Sequence, residues 1–258
     1  MAYRKFNNVE IAYHITENNS SNEVPRHCHN TYEFYLFLNG KADYTVGNEI
    51  FSLQPYDFLV IKPTVFHFSK IYSNVYNRLC INFSLSDVDD SLIPALENLQ
   101  TYYNLKDSIF IKSIVKEILP LILESNDEIF LSASKQLANL ILLQLSHTQP
   151  LKKSSRPIHP ILSQIIDYID GHLTDNLHIS VIEKTFSVSS AWIYYIFKKQ
   201  FNVSYMQYVY SKKLLLAQSL IRAGELPTKV ALTCGFECYP TFFRRYKKLF
   251  GVSPQLDK

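Results

Sequence analysis

The sequence predicts an α+β protein: a β-rich opening, helices trailing it, then an all-α domain of two helix-turn-helix units. Three observations carry this. Short aromatic and β-branched runs punctuated by turn residues fill residues 1–85. From residue 91 the apolar spacing changes to threes and fours. Between the two helical stretches, Gln149–Pro157 is rich in proline, serine and basic residues and has no period. The expected organisation is a domain at 1–148, a linker at 149–157 and a second domain at 158–258.

The β elements follow from pattern and turn chemistry. Tyr32–Leu38 is a near-continuous apolar run, and Asn39-Gly40 after it predicts a hairpin turn. Strands are expected at Ala42–Val46, Ile50–Leu53, Phe58–Ile61 and Val65–Phe68, with turns at Gly47-Asn48 and Pro55-Tyr56-Asp57. Strands of this length and spacing make a sandwich or a small barrel. Phe130, Ala133, Leu137, Leu140, Ile141 and Leu145 place an amphipathic helix after them, and Pro120 must end or kink the helix before it. The near-heptad stripe of that helix is expected to pair with its symmetry mate in a homodimer.

The second helical stretch begins with Ile158, Leu162, Ile165, Ile166 and Ile169 on one face. A short helix from His178 to Phe186, a Ser187-Val188-Ser189 turn and a helix from Ser190 to Phe201 come next. Ser204 caps a long helix reaching Ala223. Pro227 opens a short helix, Gly235 breaks it, and Tyr239–Phe250 is the last helix, stopped by Gly251.

Composition narrows the function. A chain of 258 residues, 47% apolar and 19% charged, has material for a core and is not a disordered tail. It has no apolar run of membrane-spanning length and no secretory pattern at Met1–Ile15, so a cytoplasmic protein is expected. The cysteines at 28, 80, 234 and 238 make no disulfide framework, and Cys234 and Cys238 read as core packing. Residues 1–149 hold eleven Lys and Arg against sixteen Asp and Glu, a net of −5. Residues 150–258 hold fifteen against seven, a net of +8. The basic half points to a polyanion.

Gly235-Phe236-Glu237-Cys238-Tyr239-Pro240-Thr241-Phe242-Phe243-Arg244-Arg245-Tyr246-Lys247-Lys248-Leu249-Phe250-Gly251-Val252-Ser253-Pro254 resembles, without a gap, the signature of the AraC/XylS family of bacterial transcription regulators. Phe197-Lys198-Lys199 in the first unit, and Lys213-Leu214 with Ala217 in the linking helix, agree with it. The resemblance covers roughly 100 residues and implies sequence-specific binding to double-stranded promoter or operator DNA. It places the base-reading positions at Ala191, Tyr194 and Tyr195 in the first unit and at Tyr239, Thr241 and Arg244 in the second. Lys198, Lys199, Arg245 and Lys248 are added as basic contacts. Arg pairs with guanine through two hydrogen bonds, which tyrosine cannot do, so the second unit is expected to dominate base discrimination. Two departures stand in the first unit: Glu183 where the family has a small alanine, and Ser187 where it has glycine.

His27-Cys28-His29, Glu33 and Gly40 form H-x-H-x3-E-x6-G, which resembles the first motif of the cupin barrel; His67 lies where the second motif has its histidine. Tyr56 departs from that second motif, standing where the turn glycine is usual. In enzymatic cupins such residues bind a metal. In regulators of the AraC type the same positions line an effector pocket. The expectation is therefore an effector site of His27, His29, Glu33, Tyr44 and His67, with no metal and no cofactor, in a cupin-like barrel. Tyr32, Phe34, Phe66 and Phe68 are its expected aromatic surroundings, and a sugar is one ligand such a site suits. Together these make a non-enzymatic, dimeric regulator, contacting RNA polymerase if it activates. Two alternatives stay open: a metal-dependent cupin enzyme fused to a DNA-binding module, and a regulator without a small-molecule ligand.

Overall fold

The structure, a computed structural model, describes residues 2–7, 9–15, 27–150, 156–157, 159–201 and 203–257. Residues 151–155 of the expected linker, and Ile158 at the start of the expected helical face, lie outside the described residues. The chain forms two compact units, one of residues up to His27 with 31–156, the other of 28–30 with 157 onward.

The first unit is an antiparallel sheet backed by helices. Its strands are β1 (Ala2–Phe6), β2 (Val9–His14), β3 (Tyr32–Val46), β4 (Glu49–Ser52), β5 (Asp57–Ile61), β6 (His67–Phe83) and β7 (Tyr102–Asn104). β1, β2, β6, β3 and β4 lie side by side in that order; β5 also pairs with β3, and β7 with β5.

The hairpin expected at Asn39-Gly40 does not form. β3 runs straight through it for 15 residues. Its register against β6 shifts between Phe37 and Asn39 and again between Gly40 and Ala42, so the dipeptide makes a bulge. Gly40 has φ +120°, and a Cβ there would come within 2.2 Å of the Val75 carbonyl oxygen. The second long strand, β6, starts only at His67, with Val65 and Phe66 between it and the turn at 63–64.

Alternation divides the sheet into two faces. Phe34 and Leu36 of β3 and Leu79, Ile81 and Phe83 of β6 join the core under the helices. Tyr35, Phe37, Tyr44 and Tyr76 occupy the opposite face, and Tyr44 and Tyr76 line the cavity described below.

Helices α1 (Ile93–Asn98), α2 (Ile109–Ser113), α3 (Leu119–Glu124) and α4 (Asp127–Ser146) cover the first face. Pro120 lies in the first turn of α3, directly after a π-type turn at Ile114–Ile118, so the helix does not end before it but changes its hydrogen-bond pattern there. Asn126 caps α4 by accepting the Ile129 N–H at 2.9 Å. Phe130, Leu137 and Ile141 of α4 are buried in the unit's own core. The stripe expected to pair two copies is thus consumed inside one chain. What α4 leaves exposed is Ile129, Leu140 and Leu143.

The second unit is helical: α5 (Pro160–Gly171), α6 (Ile179–Phe186), α7 (Ser190–Phe201), α8 (Tyr205–Arg222), α9 (Pro227–Thr233) and α10 (Tyr239–Phe250). Ser204 and Gln207 form a reciprocal capping box at the start of α8. Of the two cysteines expected in the core, Cys234 is fully buried, but Cys238 is exposed as the N-cap of α10. Among the described residues no helix is long and apolar enough to cross a membrane.

Candidate functional sites: a sheet-face cavity and a basic helix face

In the first unit a cavity of about 200 Å³ opens on the inner face of the sheet, lined in part by His14, Glu33, Tyr44, Tyr76, Arg78 and Cys80. His67 is fully buried and fixed in orientation, its Nδ1 being 2.9 Å from the Val65 carbonyl oxygen. That bond makes Nδ1 the protonated nitrogen and turns Nε2 toward the buried Glu33 carboxylate, 3.2 Å away. His27 also lines the cavity. It pairs with His67 through two backbone hydrogen bonds, and the two rings meet edge to face at 4.2 Å. The Tyr44 ring stacks parallel to His67 at 6.3 Å. Burial first, and the Glu33 charge second, push the Tyr44 phenol well above its ordinary value, so it is a neutral donor.

The donor atoms of His27, Glu33 and His67 lie within 4.8 Å of one another. Donors about 2.1 Å from a tetrahedral ion lie roughly 3.4 Å apart, so the cluster would have to contract by up to about 1.4 Å to hold one. Two histidines and one carboxylate, with a carbonyl orienting one imidazole, are a donor set that suits Zn or non-haem Fe. His29 is half-buried on the stretch 28–30 that groups with the second unit.

The aromatic surroundings differ from expectation. Phe34 belongs to the other face of the sheet and Tyr32 stacks on Phe83. Of the five aromatics expected, Tyr44 alone is among the cavity's lining residues. The sequence reading missed His14, Tyr76, Arg78 and Cys80. The signal was present in the alternation Tyr76, Arg78, Cys80, Asn82 against Leu79, Ile81, Phe83, but it becomes visible only once β6 extends beyond Phe68. Tyr56 adopts φ +67°, so the turn keeps its left-handed geometry without glycine. Its N–H donates to Phe37 and its carbonyl accepts from Leu105.

In the second unit, α6 and α7, and α9 and α10, are the two helix-turn-helix pairs, with α8 joining them. Ser187 takes the left-handed conformation at φ +52° that a glycine would. Glu183 accepts the Ser190 N–H at 2.6 Å, satisfying a free donor at the start of α7. Both departures from the family pattern thus keep the turn. Gly235, at φ +69°, makes the second turn, and its missing side chain leaves room for Lys213, whose Nζ would sit 2.8 Å from a Cβ there. Lys213 donates to the Asp175 and Cys234 carbonyls, tying the turn to α8.

Helix α10 buries Phe242 and Tyr246 and exposes Arg244, Arg245, Lys247 and Lys248. The two arginines are not equivalent. Arg245 lies 3.9 Å over the Tyr210 ring of α8. Arg244 makes only a long 3.4 Å contact with the Pro240 carbonyl of its own helix, which leaves most of its donors outward. Thr241 is half-buried and holds the Cys238 thiol at 3.1 Å. Tyr239 is half-buried too, packed on Phe242 and bonded to Gln255. On α7, Ala191, Tyr194, Tyr195, Lys198 and Lys199 form one exposed face over the buried Ile193, Phe197 and Phe201.

Comparison with known proteins agrees with both halves. The family model described as an AraC-like ligand binding domain matches residues 12–141, and one described as a helix-turn-helix domain matches residues 182–256. The probable transcriptional regulator LumQ of Photobacterium leiognathi is 32% identical over 91 residues, 35% of this chain and 37% of that protein. The uncharacterized HTH-type transcriptional regulator YfiF of Bacillus subtilis is 24% identical over 248 residues, covering 89% of this chain and 77% of that protein. The matched stretch spans about a third of the first curated relatives, 37% of LumQ and 33% of the Pseudomonas aeruginosa regulator ArgR. Among solved structures, ToxT of Vibrio cholerae aligns over 96% of this chain and 97% of its own, at 14% identity and a TM-score of 0.39.

Proposed function

Because the chain belongs to the AraC family of transcription regulators, we propose that it binds specific promoter DNA through residues 158–258 and answers to a small molecule held in residues 1–148. One observation carries the reading: a basic, outward-facing α10 and a cavity lined by histidine, tyrosine and charged side chains occur in the same chain. Arg244 is the principal base reader. Tyr194 and Tyr195, with Ala191, meet the neighbouring groove. Lys198, Lys199 and Lys248 contact phosphates. Tyr239 and Thr241 position α10, and Arg245 supports it from Tyr210. His27, His29, Glu33, Tyr44 and His67 face the effector, and a sugar is among the ligands such a cavity suits. The protein acts in the cytoplasm as a homodimer and, where it activates, meets RNA polymerase; it is not an enzyme.

Selection of bound sequences from a random DNA library with the full chain tests the DNA claim. A single enriched motif with two half-sites one helical turn apart is expected; enrichment of no motif would overturn it.

A second reading rests on the His27, Glu33 and His67 cluster: a metal-dependent enzyme fused to a DNA-binding module. Elemental analysis of untagged protein purified without chelators separates the two. Stoichiometric metal lost in His67→Ala and accompanied by turnover supports the second reading. Metal-free protein that still binds its operator refutes it.

A further inference from the structure

We propose that the effector carries a carboxylate or similar small anionic group, held by Arg78; this rests on reading the N-terminal domain as effector-binding. Arg78 sits on β6 between Tyr76 and Cys80, on the cavity side of the sheet, and directly opposite His14 in the β2 ladder. Its guanidinium is charged at every physiological pH. Its aromatic and imidazole neighbours are neutral. The Tyr76 ring lies 4.9 Å from the guanidinium carbon. Burial pushes the Tyr76 phenol upward, so it stays protonated. Burial and the Arg78 charge push His14 down to about 4, so it stays uncharged.

The carboxylates that line the same cavity are engaged elsewhere. Glu10 pairs with Lys5 at 3.3 Å, and Glu33 faces His67 at 3.2 Å. Among the described residues no carboxylate forms an ion pair with Arg78. A half-buried guanidinium beside a neutral phenol and a neutral imidazole, with a cavity in front of it and no carboxylate paired to it among the described residues, is a site for an anion that brings two oxygens to its fork. The 200 Å³ volume lies below the usual range for drug-sized ligands and limits the guest to a small acid. Tyr44 and Glu33, which line the same cavity, would receive a hydroxyl or amino group of the same molecule. A small hydroxy acid therefore matches both ends, and a neutral polyol matches one.

The test uses the full chain and matched probes: glycolate, lactate and glycerate against ethylene glycol, propane-1,2-diol, glycerol and arabinose. Binding is read by calorimetric titration and stability by thermal melt. At least one acid is expected to bind saturably and raise Tm, with affinity falling about tenfold or more in Arg78→Gln and partly kept in Arg78→Lys. The unliganded Arg78→Gln melt should equal or exceed that of wild type, because removing an uncompensated charge relieves the fold. Acid binding undiminished in Arg78→Gln, or neutral probes binding as tightly as acids, would overturn the inference while leaving the cavity an effector site. Binding of no probe from either group would overturn both. An Arg78→Gln chain that melts well below wild type would show that Arg78 is structural, and would also overturn the inference.

Discussion

Arg244 and Arg245 are neighbours in sequence with the same chemistry, and they are expected to fail differently when removed. Arg244 points its donors outward, so Arg244→Ala should cost about 1–3 kcal/mol of operator binding and relax preference at one base pair. Arg245 is stacked on Tyr210, so Arg245→Ala should mainly lower stability, by about 0.5–1 kcal/mol, with base preference intact. Lys248→Ala should weaken all sequences alike and reduce the salt slope by about one. Titrations on single-base operator variants at two salt concentrations separate the three; uniform weakening by Arg244→Ala would remove it as a reader. Asp257 is a fourth case. It is buried, and it accepts from Gln218, Arg222 and Tyr246. Burial alone would raise its carboxyl, but these bonds outweigh burial and hold it below the ordinary carboxylate range. A depressed folded value means the stabilisation is present above the unfolded value of about 4 and is lost as pH falls through the folded one. Asp257→Asn should therefore cost about 2 kcal/mol at neutral pH and flatten the acid limb of the melting curve. An unchanged acid limb would show that the tail is not held by charge.

Elements were legible where local chemistry agrees with the fold. The second helical stretch could be read almost to the residue because Ser204, Pro227, Gly235 and Gly251 mark helix ends by their own conformational needs. The β region was harder. Asn39-Gly40 has the composition of a hairpin turn, yet β3 continues, because its partner β6 is a single long strand that pairs with both halves. No local pattern reveals a partner that distant in sequence. Gly40 is required there for the bulge, so Gly40→Ala should destabilise the domain by well over about 1 kcal/mol, where a true turn would tolerate asparagine. The α4 stripe shows the same limit. Its spacing suits a coiled coil, but the sheet next to it needs the same side chains. Leu137→Asp is therefore expected to unfold the domain. Leu140→Asp with Leu143→Asp, on the exposed face, should leave circular dichroism unchanged and yield monomers in sedimentation. A variant of that pair that stays dimeric would move the interface off α4.

At the scale of the whole chain, the proposed division of sensing from binding follows the acidic first half and the basic second half, visible as −5 against +8. The cavity was half visible. Of the expected site, His27, Glu33 and Tyr44 line it, whereas Arg78 and His14 meet across the β2–β6 ladder, whose register no residue near them announces. Coupling between the halves is a free energy and must be reciprocal. If effector changes operator affinity by a factor, operator changes effector affinity by the same factor, typically about 5–150-fold. Glu33→Ala and His29→Ala are expected to reduce that factor toward one while effector-free operator affinity stays near wild type, because population shift needs a ligand that distinguishes the two states. Effector titrations with and without operator, beside circular dichroism, measure both. A loss of effector-free operator binding equal to the loss of response would show that these side chains hold the fold and not the ligand.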